Sequence, residues 1–218
     1  MLFGGVVVKK RLIFDIDNTL IDWKDEYYDS MKRAFNKLNY PCNEELFLNL
    51  VKANDAYEYE YLTYNKKDML DCLYKYSGVN MPDGFFELWQ EELGICSDKL
   101  GPDLIETLEY LQSKYELTIL SNWFAYAQTK RLENAGILKY FSHLYFPETF
   151  TLKPTPESYI KAAEGHNISE CIMIGDSIRC DIEGSKMVGM DAIYYNRDGI
   201  DCSEYKSIRN LKELKDIL

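Results

Sequence analysis

The chain has 218 residues, of which 46 % are hydrophobic and 28 % charged. That balance excludes bulk disorder and suits one α/β domain, or one core with a smaller domain inserted in it. The formal net charge of −11, from 25 basic and 36 acidic residues, argues against a nucleic acid polymer as partner, because phosphate backbones bind positive surface.

The opening "MLFGGVVVKKR" carries its basic residues after a short apolar stretch, not before it, and has no small-residue cleavage site. It reads as a lead-in to the first strand of a cytoplasmic protein. No uninterrupted apolar run reaches the roughly 18 residues of a membrane span, so no membrane partner is expected. In "RLIFDIDNTLI", Leu12, Ile13 and Phe14 form the apolar run of a buried parallel strand. Asp15 and Asp17 stand where that strand ends, the edge at which parallel α/β folds carry functional groups.

The period then changes. Tyr27, Met31, Ala34, Phe35 and Leu38 recur at three and four, predicting a helix from Trp23 to Leu38 that Pro41 breaks. Glu44 to Ala56 is helical again. "YEYEYLTYNKK" alternates like a strand, but Tyr57, Tyr61 and Tyr64 also fit the helical period, and helix is preferred. Asp68–Tyr76 and Pro82–Leu93 are two further helices, so residues 21–98 form a helical block.

Alternation of helix and strand resumes afterwards: a helix from Asp103 to Lys114, the strand "YELTILSN" ending at Ser121 and Asn122, and a helix from Tyr126 to Ala135 closed by Gly136. "HLYFP" is a short strand and Glu157–Ala163 a helix. "CIMIGDS" is a strand ending at Asp176, Asp181–Val188 a helix stopped by Gly189. "DAIYYN" is the last strand, and Leu211–Leu218 a closing helix. The order predicts a parallel sheet with helices on both faces.

Polar groups collect at the strand ends: Asp15 and Asp17, Ser121 and Asn122, Asp176. Lys153 lies in a loop stiffened by Pro154 and Pro156, and Asp181 opens the helix after "GDS". Each has an ordinary explanation alone. Asp176 suits a turn beside Gly175, Asp181 and Ser121 suit helix caps, and Lys153 a solvated charge. Together they fall on one sheet edge. Carboxylates crowded there repel, and magnesium, which takes hard oxygen ligands, would relieve them. Asp15 could attack phosphorus, Asp17 could move protons, and Lys153 with the Ser121 hydroxyl could hold phosphoryl oxygens. The six cysteines form no C-x-x-C pair and read as free thiols. The two histidines, His143 and His166, lack metal-ligand spacing, so zinc is not expected.

At these residues the chain resembles the haloacid dehalogenase-like superfamily. "DIDNTL", "ILSN", Lys153 with Pro154 in "KPTP", and "GDSIRCD" look like its four motifs in order. The resemblance covers nearly the whole chain. It implies a Rossmann-like core, residues 1–20 and 99–218, with residues 21–98 as a helical cap domain inserted after the first motif. Asp15 would be the nucleophile and Asp17 the general acid and base. Asp15, Asp176 and the Asp17 backbone carbonyl would hold Mg2+. Ser121 and the Asn122 backbone N–H would bind phosphate, while Asp181 would pair with Lys153 and Thr19 would steady the loop. The expected activity is a phosphomonoesterase acting on a small phosphorylated metabolite, with a pyrimidine nucleoside monophosphate as the specific candidate. A sugar phosphomutase and a non-catalytic phosphate-binding protein stay open. Trp123 and Phe124, next to the second motif, are candidate pocket walls. So, more weakly, are the block's aromatics Tyr57, Tyr59, Tyr61, Tyr64, Phe85, Phe86 and Trp89. Monomer and homodimer are equally compatible with the sequence.

Overall fold

The computed structural model describes residues 8–23, 26–200 and 203–218. The opening residues 1–7, the side chain of Tyr27, and Cys202 lie outside the described residues. Strand β1 (Arg11–Phe14) leads into four helices, α1 (Glu26–Lys37), α2 (Glu44–Glu60), α3 (Lys66–Ser77) and α4 (Phe85–Gly94). Then follow α5 (Leu104–Gln112), β2 (Glu116–Leu120), α6 (Ala125–Asn134), β3 (His143–Tyr145), α7 (Pro156–Ala162) and β4 (Cys171–Gly175). A π-helical turn (Ile178–Glu183) runs into α8 (Gly184–Met187), and β5 (Asp191–Tyr195), β6 (Ser207–Ile208) and α9 (Leu214–Ile217) complete the chain.

The six strands lie in the order β3-β2-β1-β4-β5-β6 and every pairing is parallel. Successive side chains of a strand face opposite sides, and both sides are buried. Leu12, Phe14, Ile119, Ile174 and Ile193 pack on one face under Leu104, Leu108 and Leu132. Ile13, Leu120, Met173 and Ala192 pack on the other under Tyr159 and Ala162. Each fully buried apolar side chain contributes about 1.5–3 kcal/mol, which is why β1 needs only four residues to anchor the sheet.

The helical block has a core of its own. Met31, Ala34, Phe35, Leu50, Tyr57, Leu73 and Trp89 are buried in one cluster that also takes in Trp123, Phe124 and Leu152. The block joins the sheet region through two paired linkers: Ile21 bridges Lys99, Asp22 N donates to Asp98 O at 2.8 Å, and Leu100 N donates to Leu20 O at 2.9 Å.

Three expectations need correction. Helix α2 stops at Glu60, and residues 61–65 leave the helix. There Tyr64 N bonds to Pro147 O and the Tyr57 hydroxyl to Thr63 O, so tertiary partners displace the helical ladder. "DAIYYN" is not the last strand, because β6 adds two residues at the edge. The segment after "GDS" opens as a π-helical turn capped by Ser177, whose side chain accepts from Cys180 N; Asp181 lies inside the turn. Cys42, Cys72, Cys96, Cys171 and Cys180 carry free thiols. No helix among the described residues is long and apolar enough to cross a membrane.

Candidate active site

The sheet order places β1 between β2 and β4, and the chain leaves β1 in opposite directions toward them. The crevice at such a switch point is where open parallel sheets bind ligands. The carboxyl ends of these strands, with the loop before α7, enclose a cavity of about 200 Å³. Its lining includes Asp15, Asp17, Ser121, Asn122, Lys153, Asp176 and Asp181, so seven residues expected at the site meet there.

Lys153 is the centre of the arrangement. The residue is 2 % exposed, and its ammonium donates to Asp15 Oδ1 at 2.7 Å and to Asp181 Oδ1 at 2.6 Å. Its backbone is clamped by Asn122: Lys153 N donates to Asn122 Oδ1 and Asn122 Nδ2 donates to Lys153 O, both at 2.9 Å. One amide side chain after β2 therefore fixes the loop that delivers the lysine. Asp181 Oδ2 accepts from Ser177 N at 2.9 Å. That approach requires Gly175, where a Cβ would stand 2.1 Å from Asp181 Oδ2. Cys180 packs beside the same loop, its thiol 3.9 Å from Lys153 O.

Asp17 is held separately, from α6. Gln128 Nε2 donates to Asp17 Oδ2 at 2.7 Å, and also to Ser121 Oγ at 3.0 Å. The buried guanidinium of Arg131 pairs with Asp17 Oδ1, bonds Gln128 Oε1 at 2.8 Å, and reaches the linker carbonyl of Cys96 at 2.7 Å. Asn18 adopts φ 56°, a left-handed conformation that asparagine tolerates, and its Oδ1 accepts from Trp23 N at 3.1 Å. This turn carries the chain away from Asp17.

Charge at the site is unbalanced. Among the described residues, five carboxyl groups line the cavity (Asp15, Asp17, Glu58, Asp176 and Asp181) against one ammonium, Lys153. Burial pushes the Asp15 carboxyl well up; Lys153 opposes this, while Asp181, Asp17 and Asp176 add to it. Burial and Asp181 push Asp176 up to about 7, against Lys153. Burial alone would lower the Lys153 ammonium, but Asp15 and Asp181 outweigh it and hold it protonated. Oxygen atoms of Asp15, Asp176 and Asp181 lie within 4.8 Å of one another. An all-oxygen donor set with surplus negative charge fits a hard divalent cation.

The other expected residues fall differently. The carboxylate of Asp17 turns to α6, outside the cluster that could hold a metal; it has found two donors there. Thr19 is fully buried; its hydroxyl meets no hydrogen-bond partner among the described residues, and its backbone N–H donates to Ile16 O at 3.3 Å within the turn. Trp123 and Phe124 do not line the cavity. They sit 2 % and 4 % exposed in the block's aromatic core, where Trp123 meets Trp89 and Tyr64 edge-on and Phe124 meets Phe86. Tyr57, Tyr59, Tyr61, Tyr64, Phe85, Phe86 and Trp89 are likewise absent from the lining. Trp23 and Glu58 are the side chains that reach it from the linker and the block. Sequence reading missed Glu58, Gln128, Arg131 and Gly175. The one signal available was on α6, where Gln128 and Arg131 interrupt the inward stripe of Ala127, Leu132 and Ala135.

Residues 12–195 match the family described as haloacid dehalogenase-like hydrolase. The chain belongs to that family. Within it, the chain is similar to the pyrimidine 5'-nucleotidase PynA of Streptococcus pneumoniae, 27 % identical over 210 residues and covering 86 % of this chain and 84 % of that one. It is 29 % identical over 192 residues to a phosphoglycolate phosphatase of Vibrio parahaemolyticus, with 83 % and 80 % covered. The crystal structure of the HAD-hydrolase YfnB of Bacillus subtilis, bound to magnesium, superimposes with a TM-score of 0.76 at 24 % identity, covering 97 % and 99 %. That likeness extends the family's fold over the helical block as well as the sheet.

Proposed function

We propose that the chain is a magnesium-dependent phosphomonoesterase working through an aspartyl-phosphate. The observation that carries this reading is the division of the carboxylates. Asp15 is tied to Lys153 beside Asp176 and Asp181, whereas Asp17 is held apart by Gln128 and Arg131. A nucleophile and a proton carrier need that separation of environment.

In this reading an oxygen of Asp15 attacks phosphorus, and Asp17 gives a proton to the leaving oxygen. Asp17 then takes a proton from water as the water attacks the aspartyl-phosphate, which returns Asp15 to its carboxylate. Lys153 and the Ser121 hydroxyl hold the phosphoryl oxygens as negative charge shifts among them. Asp15, Asp176 and the Asp17 backbone carbonyl would hold the magnesium ion, which supplies charge neutralisation for the phosphoryl group. Asp181 keeps Lys153 in place. Residues 21–98 act as a cap on a core of residues 1–20 and 99–218, moving on the paired linkers at Ile21 and Lys99 to exclude water. The names of the relatives, a nucleotidase and a phosphoglycolate phosphatase among them, support a small phosphorylated substrate, and a pyrimidine nucleoside monophosphate is the first to test.

Phosphate release from nucleotides, sugar phosphates and phosphoglycolate, with magnesium and with excess chelator, tests this directly. Turnover is expected to need magnesium and to fall by at least about 10⁴-fold in Asp15→Asn. Folded, magnesium-binding protein that releases phosphate from nothing in the panel would overturn the reading. Interconversion of hexose phosphate isomers would replace it with a mutase.

A further inference from the structure

Glu58 is a carboxylate that neither the fold nor the proposed chemistry requires. It stands in the last turn of α2, where the helix dipole disfavours negative charge, and that turn holds no basic residue. Its neighbour Glu60 is compensated by Lys75 at 2.6 Å and by the Tyr76 hydroxyl at 2.6 Å. Among the described residues Glu58 has no such ion pair. The Tyr64 hydroxyl donates to its Oε1 at 3.0 Å and fixes its direction. So fixed, it is the one described residue of α1–α4 in the cavity lining, opposite the strand ends that carry Asp15 and Asp176. Burial pushes its carboxyl up, while Tyr64, Asn122, Lys153 and Arg179 pull it down, which marks the groups it faces.

A negative group facing a phosphate site is unfavourable for the phosphate itself. Its use must lie with the remainder of the substrate. Among the described residues the only cation in the lining is Lys153, already taken by Asp15 and Asp181. Arg179, next in sequence to the lining residue Cys180, is absent from the lining and holds its guanidinium 4.7 Å from the Tyr59 ring. Among the described lining residues a leaving group therefore finds an acceptor in Glu58 and no cation beyond Lys153.

We propose, resting on the phosphomonoesterase reading, that Glu58 selects the leaving group. It accepts hydrogen bonds from hydroxyl or ring N–H groups of a neutral leaving group, such as a nucleoside or sugar, and repels one bearing a second negative charge. Phosphoglycolate and nucleoside diphosphates are then poor substrates beside nucleoside or sugar monophosphates.

The test compares kcat/KM for uridine 5'-monophosphate and for phosphoglycolate, each against p-nitrophenyl phosphate, in the wild type and in Glu58→Gln. The glutamine keeps the shape and the Tyr64 contact but removes the charge. The relative rate on phosphoglycolate is expected to rise on the order of tenfold, and that on uridine 5'-monophosphate to fall. An unchanged ratio overturns the proposal, as does a wild type that prefers phosphoglycolate. If Glu58→Gln does not fold, the wild type still decides: its discrimination against phosphoglycolate should shrink as salt is raised, and an unmoved ratio overturns the proposal. Failure of the wild type on p-nitrophenyl phosphate and on every other ester would instead sink the underlying activity.

Discussion

The two ends of β1 treat carboxylates in opposite ways. At its start, Arg11 lies beside Glu116 in the sheet register and donates to Glu116 Oε1 at 2.9 Å. His166 Nε2 stands 2.6 Å from Oε2, and the Ser142 hydroxyl donates to Oε1 at 3.2 Å. Burial would raise this carboxyl, but His166, Arg11 and Ser142 hold it down at about 2. At the other end of the strand, burial pushes up both Asp15 and Asp176, and the neighbouring carboxylates Asp181 and Asp17 push both further. One end is satisfied by its own side chains. The other carries a surplus of negative charge that a cation and a substrate would complete. Groups held in unfavourable states mark function more reliably than acidity itself.

The contrast breaks most sharply at Asp17, the one strand-end carboxylate with two good donors. If it is the proton carrier, Asp17→Asn should lower kcat by about 10²–10⁴ on an alkyl phosphate. The loss on p-nitrophenyl phosphate should be much smaller, since that leaving group needs no proton. Equal losses on both esters, measured by steady-state kinetics, would make Asp17 a structural partner of Arg131 instead.

The strand-end aspartates were legible because the sheet is buried on both faces. That makes its strands continuous apolar runs, and a polar residue at their end stands out. The same logic located Ser121, Asn122 and Asp176. It failed where contacts arise only from tertiary crossing. Glu58 lies in an alternating stretch that fits two periods, and nothing local says it turns toward Asn122 and Lys153. Arg131 reaches Asp17 across 114 positions of sequence. Trp123 and Phe124 misled because proximity in sequence to Ser121 does not fix direction: the apolar rings found the block's core. Strand β6, with two residues, is too short to show any period.

A smaller effect is expected at Gly175, which lets Asp181 lie against the strand end. A Cβ there would meet both Oδ2 and Cγ of Asp181, at 2.1 and 2.3 Å. Asp181 must move, and Lys153 loses a partner. Gly175→Ala should destabilise by about 1–3 kcal/mol, lowering Tm by roughly 2–10 °C. It should also weaken magnesium binding measured by calorimetry. Unchanged affinity with a lowered Tm would separate the packing of Asp181 from the metal cluster.

The smallest effect lies at the satisfied end. Glu116 has a folded value of about 2 against an ordinary value of 4.5, so it is depressed. Below about 4.5 the unfolded chain takes up a proton at this position while the folded one does not. The stability Glu116 contributes is therefore present above 4.5 and is lost as pH falls through 2. Its side chain is 26 % exposed, which screens the contribution to about 1 kcal/mol, or some 2–4 °C in Tm. Glu116→Gln should lie below the wild type by that margin at neutral pH, and the two melting curves should converge as pH falls from 4.5 to 2. A constant offset across that range would mean that Arg11 and His166 hold Glu116 by packing rather than by charge. Turnover at neutral pH should be untouched, because the charges that matter for it sit at the far end of the same four residues.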